Sequence, residues 1–388
     1  MKTIAKSVAE EVIAKNKAAG KTSSKANYFY LKEALDFRLN LLLDHFPSNT
    51  LHAIAIKTNN HPEVLKHIVS RGFGLEAASI EEVKLAQATG ISANKIVFDS
   101  PVKTQEEINY CHQHLPGALI NVNCLEEIER YPSNFSGKLG LRINPLVTVN
   151  TDKNLNVSQL NSKFGVPITQ EESILQTLTK SDKFTALHFH IGSGIADYQP
   201  NLKAFKTVLN LAKKVNKIRE QKGNQKLIDT IDIGGGIDFD LDHQTENIDD
   251  FTKSLNKELQ NSEYKIVTEF GKFIHETNAF VSSSVEYITK NTSESHNAFI
   301  HVGADLFLRK TYSSMQIHYP IAVIGKEGTQ QKYRIVGPLC FAGDVLYESV
   351  ELPILNQGDE IILFNTGANT YSMWSNHCSR EEINFIFV

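Results

Sequence analysis

The sequence predicts an α/β protein built as a (β/α)8 TIM barrel followed by a C-terminal, mostly antiparallel β domain. Three observations predict it. Eight short β-branched or apolar runs occupy 53–57, 73–79, 95–100, 117–123, 138–144, 184–192, 227–236 and 264–271. Helix-like stretches such as Pro62 to Ser70, Ile80 to Ala88 and Leu202 to Lys222 separate most of them, which is the pattern of βαβ units in a parallel sheet. From about residue 278 the pattern changes, and closely spaced runs follow one another with little helix between.

In chain order, residues 1–44 read as a polar N-terminal helix and a Tyr28-Phe29-Tyr30-Leu31 strand that partly joins the β domain. Residues 45–277 read as the barrel and residues 278–388 as the β domain. The β domain's strands are expected at Phe280–Ile288, Asn297–Val302, Ile321–Ile324, Tyr333–Val336, Glu360–Asn365 and Ile383–Val388. The Asn- and Thr-rich segment 145–163 reads as a long loop. The length of 388 residues suits two domains, or one large barrel with an appendage.

Composition removes several function classes. A hydrophobic fraction of 41% is enough for a sizeable core, and a net charge of −4 offers no basic field for nucleic acid. Lys213, Lys214 and Lys217 lie on a predicted helix and read as a solvated face. No run is long enough to span a bilayer, and the start of the chain lacks the apolar stretch of a signal peptide. The four cysteines, Cys111, Cys124, Cys340 and Cys378, match neither a zinc knuckle nor a disulfide framework, so a reducing, cytoplasmic location is expected.

The chemistry gathers at strand ends. In a parallel barrel the site lies at the C-terminal ends of the strands, and Lys57, Arg142, His190, Gly234–Gly236 and Glu269 all fall there. Lys57 closes the apolar run Ala53-Ile54-Ala55-Ile56, where an amine of depressed pKa forms imines. The bland alternative is a lysine snorkelling to the surface. Gly234-Gly235-Gly236 follows the seventh strand, where backbone N–H groups can approach a phosphate, although tight turns also use glycines. His188 and His190 share one face of the sixth strand. A zinc reading lacks a third ligand, so no metal is expected. His190 suits stacking on a planar cofactor, and His188 also reads as a hydrogen-bonded core histidine. Glu269 ends the eighth strand, either as an acid facing a ring nitrogen or as a salt bridge at the barrel end, with Arg142 as its partner. Cys340, between Leu339 and Phe341, is either a proton-transferring thiol or a small buried hydrophobe. An imine-forming amine, an aromatic face, a phosphate cradle and an acid are the parts that pyridoxal 5'-phosphate needs.

From about Tyr28 to its C-terminus the chain resembles, in the right motif order, the pyridoxal-phosphate-dependent decarboxylases of the alanine-racemase-like fold. That group includes the diaminopimelate, ornithine, arginine and carboxynorspermidine decarboxylases. The resemblance implies that Lys57, in Ala-Ile-Lys-Thr-Asn, forms the Schiff base with the cofactor. It implies that His190, in His-Phe-His-Ile-Gly-Ser-Gly, stacks on the ring with Ser193 nearby, and that Arg142, in Leu-Arg-Ile-Asn-Pro, lies at the cofactor's edge. Gly234, Gly235, Gly236, Gly271 and Lys272 match phosphate-binding positions, and Glu269 matches the partner of the pyridine nitrogen. Cys340 matches the cysteine that returns a proton to Cα from the other subunit, which implies a homodimer with shared sites. Lys163 and Asp344 match a pair that bridges subunits, with Asp344 at the substrate.

Departures from the family pattern bear on substrate. The usual Glu-Pro-Gly-Arg turn reads Glu269-Phe270-Gly271-Lys272, which keeps the charge but loses the bidentate fork. The usual Gly-Ala-Tyr phosphate contact reads Gly367-Ala368-Asn369, with Tyr371 as the substitute. Phe341 stands where the diaminopimelate and ornithine enzymes carry an acid for a distal amino group, which is closer to the carboxynorspermidine branch. Arg309 is the candidate for a distal carboxylate. The expected substrate is an amino acid with a polar or carboxylate-bearing tail: diaminopimelate, carboxynorspermidine or a siderophore or antibiotic precursor. An amino-acid racemase of the same fold and a catalytically inactive, cofactor-binding regulator are the alternatives. Against the racemase, Thr58-Asn59-Asn60-His61 follows the lysine instead of Ala-Tyr-Gly-His.

Overall fold

The computed structural model describes residues 4–180, 182–224, 226–239, 246–260, 262–290, 296–312 and 317–388, so the first three residues of the polar N-terminal stretch lie outside it. The chain divides into two compact units: Leu39–Phe273, and Met1–Arg38 together with Ile274–Val388. The sequence puts these divisions at 44/45 and 277/278.

Eight strands form the barrel of the first unit: Leu51–Ala55, Gly74–Ala77, Ile96–Phe98, Leu119–Val122, Lys138–Asn144, Phe184–His188, Thr230–Asp232 and Lys265–Thr268. Each pairs in parallel with the next, and the last pairs in parallel with the first, so the sheet closes into a barrel. Each expected run overlaps one of these strands. Burial on both faces explains why the runs read as continuous apolar segments rather than alternating ones. Inside, Ala53, Val97, Leu119, Ala186 and Val267 pack together. Gly140 is needed on the fifth strand, because a Cβ there would collide with the Asn121 side chain.

Local chemistry starts the outer helices. Pro62 opens Pro62–Ser70, where its missing N–H is not needed. Ser79 accepts a hydrogen bond from the Glu82 N–H at the head of Ile80–Ala88. Thr104 and Glu107 form a reciprocal capping box on Gln105–His114. The wholly buried Arg219, near the end of Gln199–Gln221, donates to the carbonyls of Leu178, Phe184 and Lys226 at 2.9–3.0 Å. A buried cation thus ties together chain ends that would leave carbonyls unsatisfied. A second buried cation braces the rim: Lys103 Nζ donates to the carbonyls of Ser100 (2.7 Å) and Asn121 (2.8 Å) and to Glu127 Oε1 (3.0 Å). Tyr131 and the Asn123 N–H donate to the same Glu127 carboxylate.

The barrel seam carries a pH-sensitive contact. His52 on the first strand lies 2.8 Å (Nδ1) from Thr268 Oγ1 on the last, against the edge of Phe46. Burial pushes its imidazole down to about 4. Between that value and the ordinary 6.5 the unfolded chain binds the extra proton. This contribution to stability is therefore complete above about pH 6.5, falls by about 3 kcal/mol on the way to pH 4, and changes no further below. The melting temperature is expected to fall over that window, and to fall less in a His52→Gln variant. Equal slopes in the two proteins would rule out His52 as the cause.

In the second unit Glu360–Phe364 and His296–Ile300 flank the long strand Ala279–Lys290, with Ile321–Val323, Gln330–Val336 and Val345–Pro353 outside them. Ala26–Tyr30 pairs antiparallel with Ala279–Lys290 and parallel with Asn384–Phe387. Most pairings are antiparallel; the exceptions are this last one and His296–Ile300 with Gln330–Val336. The helix Lys6–Ala18 and the strand cover a core of Ile4, Ala9, Ile13, Phe29, Phe280, Ile362 and Phe364. The strand Val345–Pro353 has no counterpart in the sequence reading. Register shifts against its partner break its alternation, and Pro353 sits where an edge strand tolerates it.

Candidate active site

Every barrel strand delivers a polar side chain to its C-terminal end. Lys57 sits on the 3-10 turn Ile56–Thr58 directly after the first strand, and Thr58 Oγ1 fixes that turn by donating to the Ala55 carbonyl at 2.6 Å. Glu76 lies on the second strand, Asp99 follows the third, and Asn121 and Arg142 lie on the fourth and fifth. His188 and Asp232 end the sixth and seventh, and Glu269 follows the eighth. All of these except Lys57 are buried; the Lys57 side chain is 50% exposed.

The charges interlock. The Lys57 ammonium pairs with the Glu76 carboxylate. Burial pushes the Lys57 amine down, but the carboxylates of Glu76, Glu269 and Asp99 outweigh it and hold the amine above its ordinary value. The sequence reading invokes a depressed value, so this protein departs from it: three acids crowd the amine. Asn121 Nδ2 bridges Asp99 Oδ1 (2.7 Å) and Asp232 Oδ2 (3.0 Å). Asp99 and Glu269 share a hydrogen bond. Asp99 goes down to about 2: burial opposes this, but the neighbouring His188, the Arg142 charge and the hydrogen bonds from Glu269 and Asn121 outweigh it. Glu269 goes well up, through burial and the neighbouring Asp99 and Glu76. Asp232 also goes well up, through burial and Glu269. Four acids thus face two fixed cations, and the cluster keeps protons for want of positive charge.

Arg142 extends its guanidinium over the Phe164 ring, 4.5 Å from the centroid. Lys163, expected to bridge subunits, has its ammonium 5.0 Å from the same ring. His190 Nδ1 accepts the Gly235 N–H at 3.2 Å, and burial with the charges of Arg142 and Lys57 holds the imidazole well below its ordinary value, hence neutral. The glycine turn is tight. Gly234 and Gly236 have φ of +61° and +95°, and a Cβ at any of the three would strike backbone of Phe189, Glu269 or Gly192. Two of the three N–H groups are committed inward, Gly234 to Asp232 Oδ1 and Gly235 to His190, so packing accounts for the glycines as well as phosphate does. Lys272 is likewise engaged, 2.6 Å from Asp238 Oδ2. Gly271 is required because a Cβ would meet Thr58 and Ala55. Ser193 is held by its backbone, with its carbonyl accepting from Thr151 Oγ1 (2.6 Å) and its N–H donating to Leu155 (3.2 Å). The loop 145–163 is therefore stitched to the histidine segment.

The zinc argument needs correction. Asp99, His188 and Glu269 each place a ligand atom within 4.8 Å of the others, so His188 does have two potential co-ligands. His190 is not among them. Strands three and eight supply the acids, which sequence spacing around the two histidines does not register.

The remaining expected residues lie in the β unit. Cys340 is exposed on the turn after Gln330–Val336. Phe341 stacks on Tyr312, with centroids 4.9 Å apart. Asp344, expected at the substrate, is buried: Oδ1 accepts the Ala304 N–H at 2.6 Å and Oδ2 the Leu339 N–H at 2.7 Å. Tyr371 packs its ring on Phe385 and Tyr28 and engages Glu382 through its hydroxyl. Asn369 takes a left-handed φ of +55°. Arg309 is half-buried on Leu308–Tyr312, and burial pushes its guanidinium down.

Sequence pattern alone does not mark Glu76, Asp99, Asn121 and Asp232 as site residues. The available signal was their position at the ends of apolar runs, as in Gly-Leu-Glu-Ala and Val-Phe-Asp.

The family model for the pyridoxal-dependent decarboxylase, pyridoxal binding domain, matches residues 34–276. A diaminopimelate decarboxylase of Bacteroides thetaiotaomicron is 28% identical over 373 residues, covering 91% of this chain and 93% of that protein. Among solved structures, diaminopimelate decarboxylase from Helicobacter pylori complexed with L-lysine superposes with a TM-score of 0.84 at 24% identity, covering 96% of this chain and 93% of that one. Lysine/ornithine decarboxylase from Vibrio vulnificus complexed with cadaverine gives 0.81 at 22%, covering 97% and 98%. At such identities the two structures establish the fold.

Proposed function

This chain belongs to the pyridoxal-dependent decarboxylase family, and from that premise we propose that it removes the α-carboxylate of an amino acid with a polar or carboxylate-bearing tail, diaminopimelate first among the candidates. It is a pyridoxal-phosphate-dependent amino-acid decarboxylase. The observation that carries the reading of the site is Glu269. It is buried, its Oε1 lacks a hydrogen-bond partner among the described residues, and it belongs to an acid cluster short of a cation. A protonated ring nitrogen is a cation of the right kind, so the residues fit the cofactor.

When bound, pyridoxal phosphate supplies a ring that accepts the electron pair released as carbon dioxide leaves the substrate. Lys57 Nζ would hold the cofactor through its aldehyde, with Glu76 balancing the Lys57 charge. Glu269 would keep the ring nitrogen protonated, and neutral His190 would cover the ring without adding a competing charge. Arg142 would offset the acids beside it. Gly236, Gly271, Ser193 and Lys272 would hold the phosphate, with Gly234 and Gly235 shaping the turn. The Cys340 thiol would hold the proton destined for Cα at the barrel of a second copy of the chain, and Arg309 would take the distal carboxylate. Eight curated relatives, 25–28% identical to this chain, are named diaminopimelate decarboxylase, which favours that substrate. Phe341, stacked on Tyr312, favours a tail bound without an acid at that position. Among the described residues no helix is long and apolar enough to cross a membrane, and the four cysteines are unpaired, which supports a cytoplasmic setting.

The test is carbon dioxide release from purified protein with pyridoxal phosphate and meso-diaminopimelate, lysine, ornithine, arginine, carboxynorspermidine or a citryl-diamino acid conjugate. Release is expected from a substrate with a carboxylate tail. Exchange of the Cα proton without release would identify a racemase instead. A second measurement concerns the phosphate end. Asp238 competes for Lys272, so Asp238→Asn is expected to tighten pyridoxal phosphate binding several-fold, on the order of one surface ion pair. Unchanged affinity would mean that Lys272 does not reach the phosphate.

A further inference from the structure

His188 has no role in the mechanism above, yet its placement is specific. The ring is wholly buried, and neither nitrogen has a hydrogen-bond partner among the described residues. A structural core histidine ordinarily satisfies at least one nitrogen on a carbonyl or hydroxyl, as His52 does on Thr268. His188 instead points Nε2 between two carboxylates, 3.4 Å from Asp99 Oδ2 and 3.6 Å from Glu269 Oε2. Asp99 is itself anchored by Asn121, which also grips Asp232. Asn121, Asp99, His188 and Glu269 therefore stand in a row, with the His188 ring wedged between the two carboxylates.

We propose that His188 is the positioning residue for Glu269: its Nε2 edge, wedged between Asp99 and Glu269, fixes the orientation of the Glu269 carboxyl. The inference rests on the assignment of Glu269 to the ring nitrogen. The groups facing His188 are Asp99, Asp232, Glu269 and Glu76, all acidic, Arg142, which is cationic, and the neutral imidazole of His190. Burial and Arg142 outweigh the acids and keep the imidazole neutral. A neutral ring adds no charge, which leaves the cation deficit at Glu269 for the ring nitrogen to fill. An imidazolium would fill it first and weaken the claim of Glu269 on that nitrogen. Orienting partners one step behind a cofactor ligand act in this way elsewhere.

The experiment uses the full chain. Binding of pyridoxal phosphate is titrated by absorbance in wild type, His188→Gln, His188→Leu and Glu269→Gln, and the pH at which the bound cofactor's absorption changes is recorded. His188→Leu is expected to weaken binding by roughly tenfold and to move the pH transition in the direction of Glu269→Gln. His188→Gln, which keeps an N–H, is expected to recover much of both. If Glu269→Gln moves the transition and His188→Leu does not, the His188 inference is wrong while the Glu269 assignment stands. If Glu269→Gln itself changes neither readout, the assignment fails and the inference falls with it. Should the leucine variant not fold, nitrogen-15 histidine spectra of the wild type decide: a neutral ring from pH 6 to 8 supports the proposal, and an imidazolium overturns it.

Discussion

Lys57→Ala is expected to reduce carbon dioxide release by about 10² to 10⁴-fold or more, the range associated with losing a group that takes part in the chemistry. Alanine removes the only amine on the turn Ile56–Thr58 and leaves Glu76 buried without its cation. Two effects should therefore appear together: loss of covalent cofactor attachment, read as loss of the absorbance of the lysine-bound form, and an increase in the protons taken up by the acid cluster. Lys57→Arg separates them. It restores a charge beside Glu76 but cannot form the covalent bond, so it should recover stability without recovering turnover. Turnover in Lys57→Ala within tenfold of wild type would remove Lys57 from the chemistry.

The largest effect on stability is expected at Lys103. Its ammonium is buried and makes three hydrogen bonds, two to carbonyls and one to Glu127. Replacement by methionine fills much of the volume but strands the Glu127 carboxylate and two carbonyls. Breaking one side of a buried pair costs about 3–5 kcal/mol. For a unit of this size that is roughly 6–20 °C in melting temperature. Adding Glu127→Gln should return part of the loss, because a neutral amide tolerates burial: its oxygen still accepts the Asn123 N–H and its NH2 donates to the Tyr131 hydroxyl oxygen. A Lys103→Met protein melting within about 2 °C of wild type would show that Glu127 is neutralised by something else.

The barrel was legible because a sheet covered on both faces leaves an unmistakable trace: eight apolar runs spaced by helices. The rim was legible wherever a rare residue type marked it, as with Lys57, His190 and the three glycines. It was much less so where the marker was a common acid. Glu76 and Asp99 end their strands as any solvated acid might, and only the closed geometry brings them beside Lys57 and His188. Partners were harder still, because a motif gives a residue's type but not its hydrogen bonds. Lys272 reads as a phosphate ligand and is found on Asp238, and Asp344 reads as a substrate ligand and is found holding two backbone amides. Val345–Pro353 escaped because bulges erase the two-residue period on which strand reading depends.

The parallel pairing of Ala26–Tyr30 with Asn384–Phe387 has a consequence for the order of assembly during translation. The first of these strands leaves the ribosome early, and its parallel partner emerges only after the whole barrel has been made. At cellular elongation rates that interval is on the order of tens of seconds, ample time for the barrel to fold first. For that interval the aromatic strand Tyr28-Phe29-Tyr30 presents an unpaired edge to the cell, so nascent chains stalled before residue 384 should be the forms that chaperones capture and that aggregate.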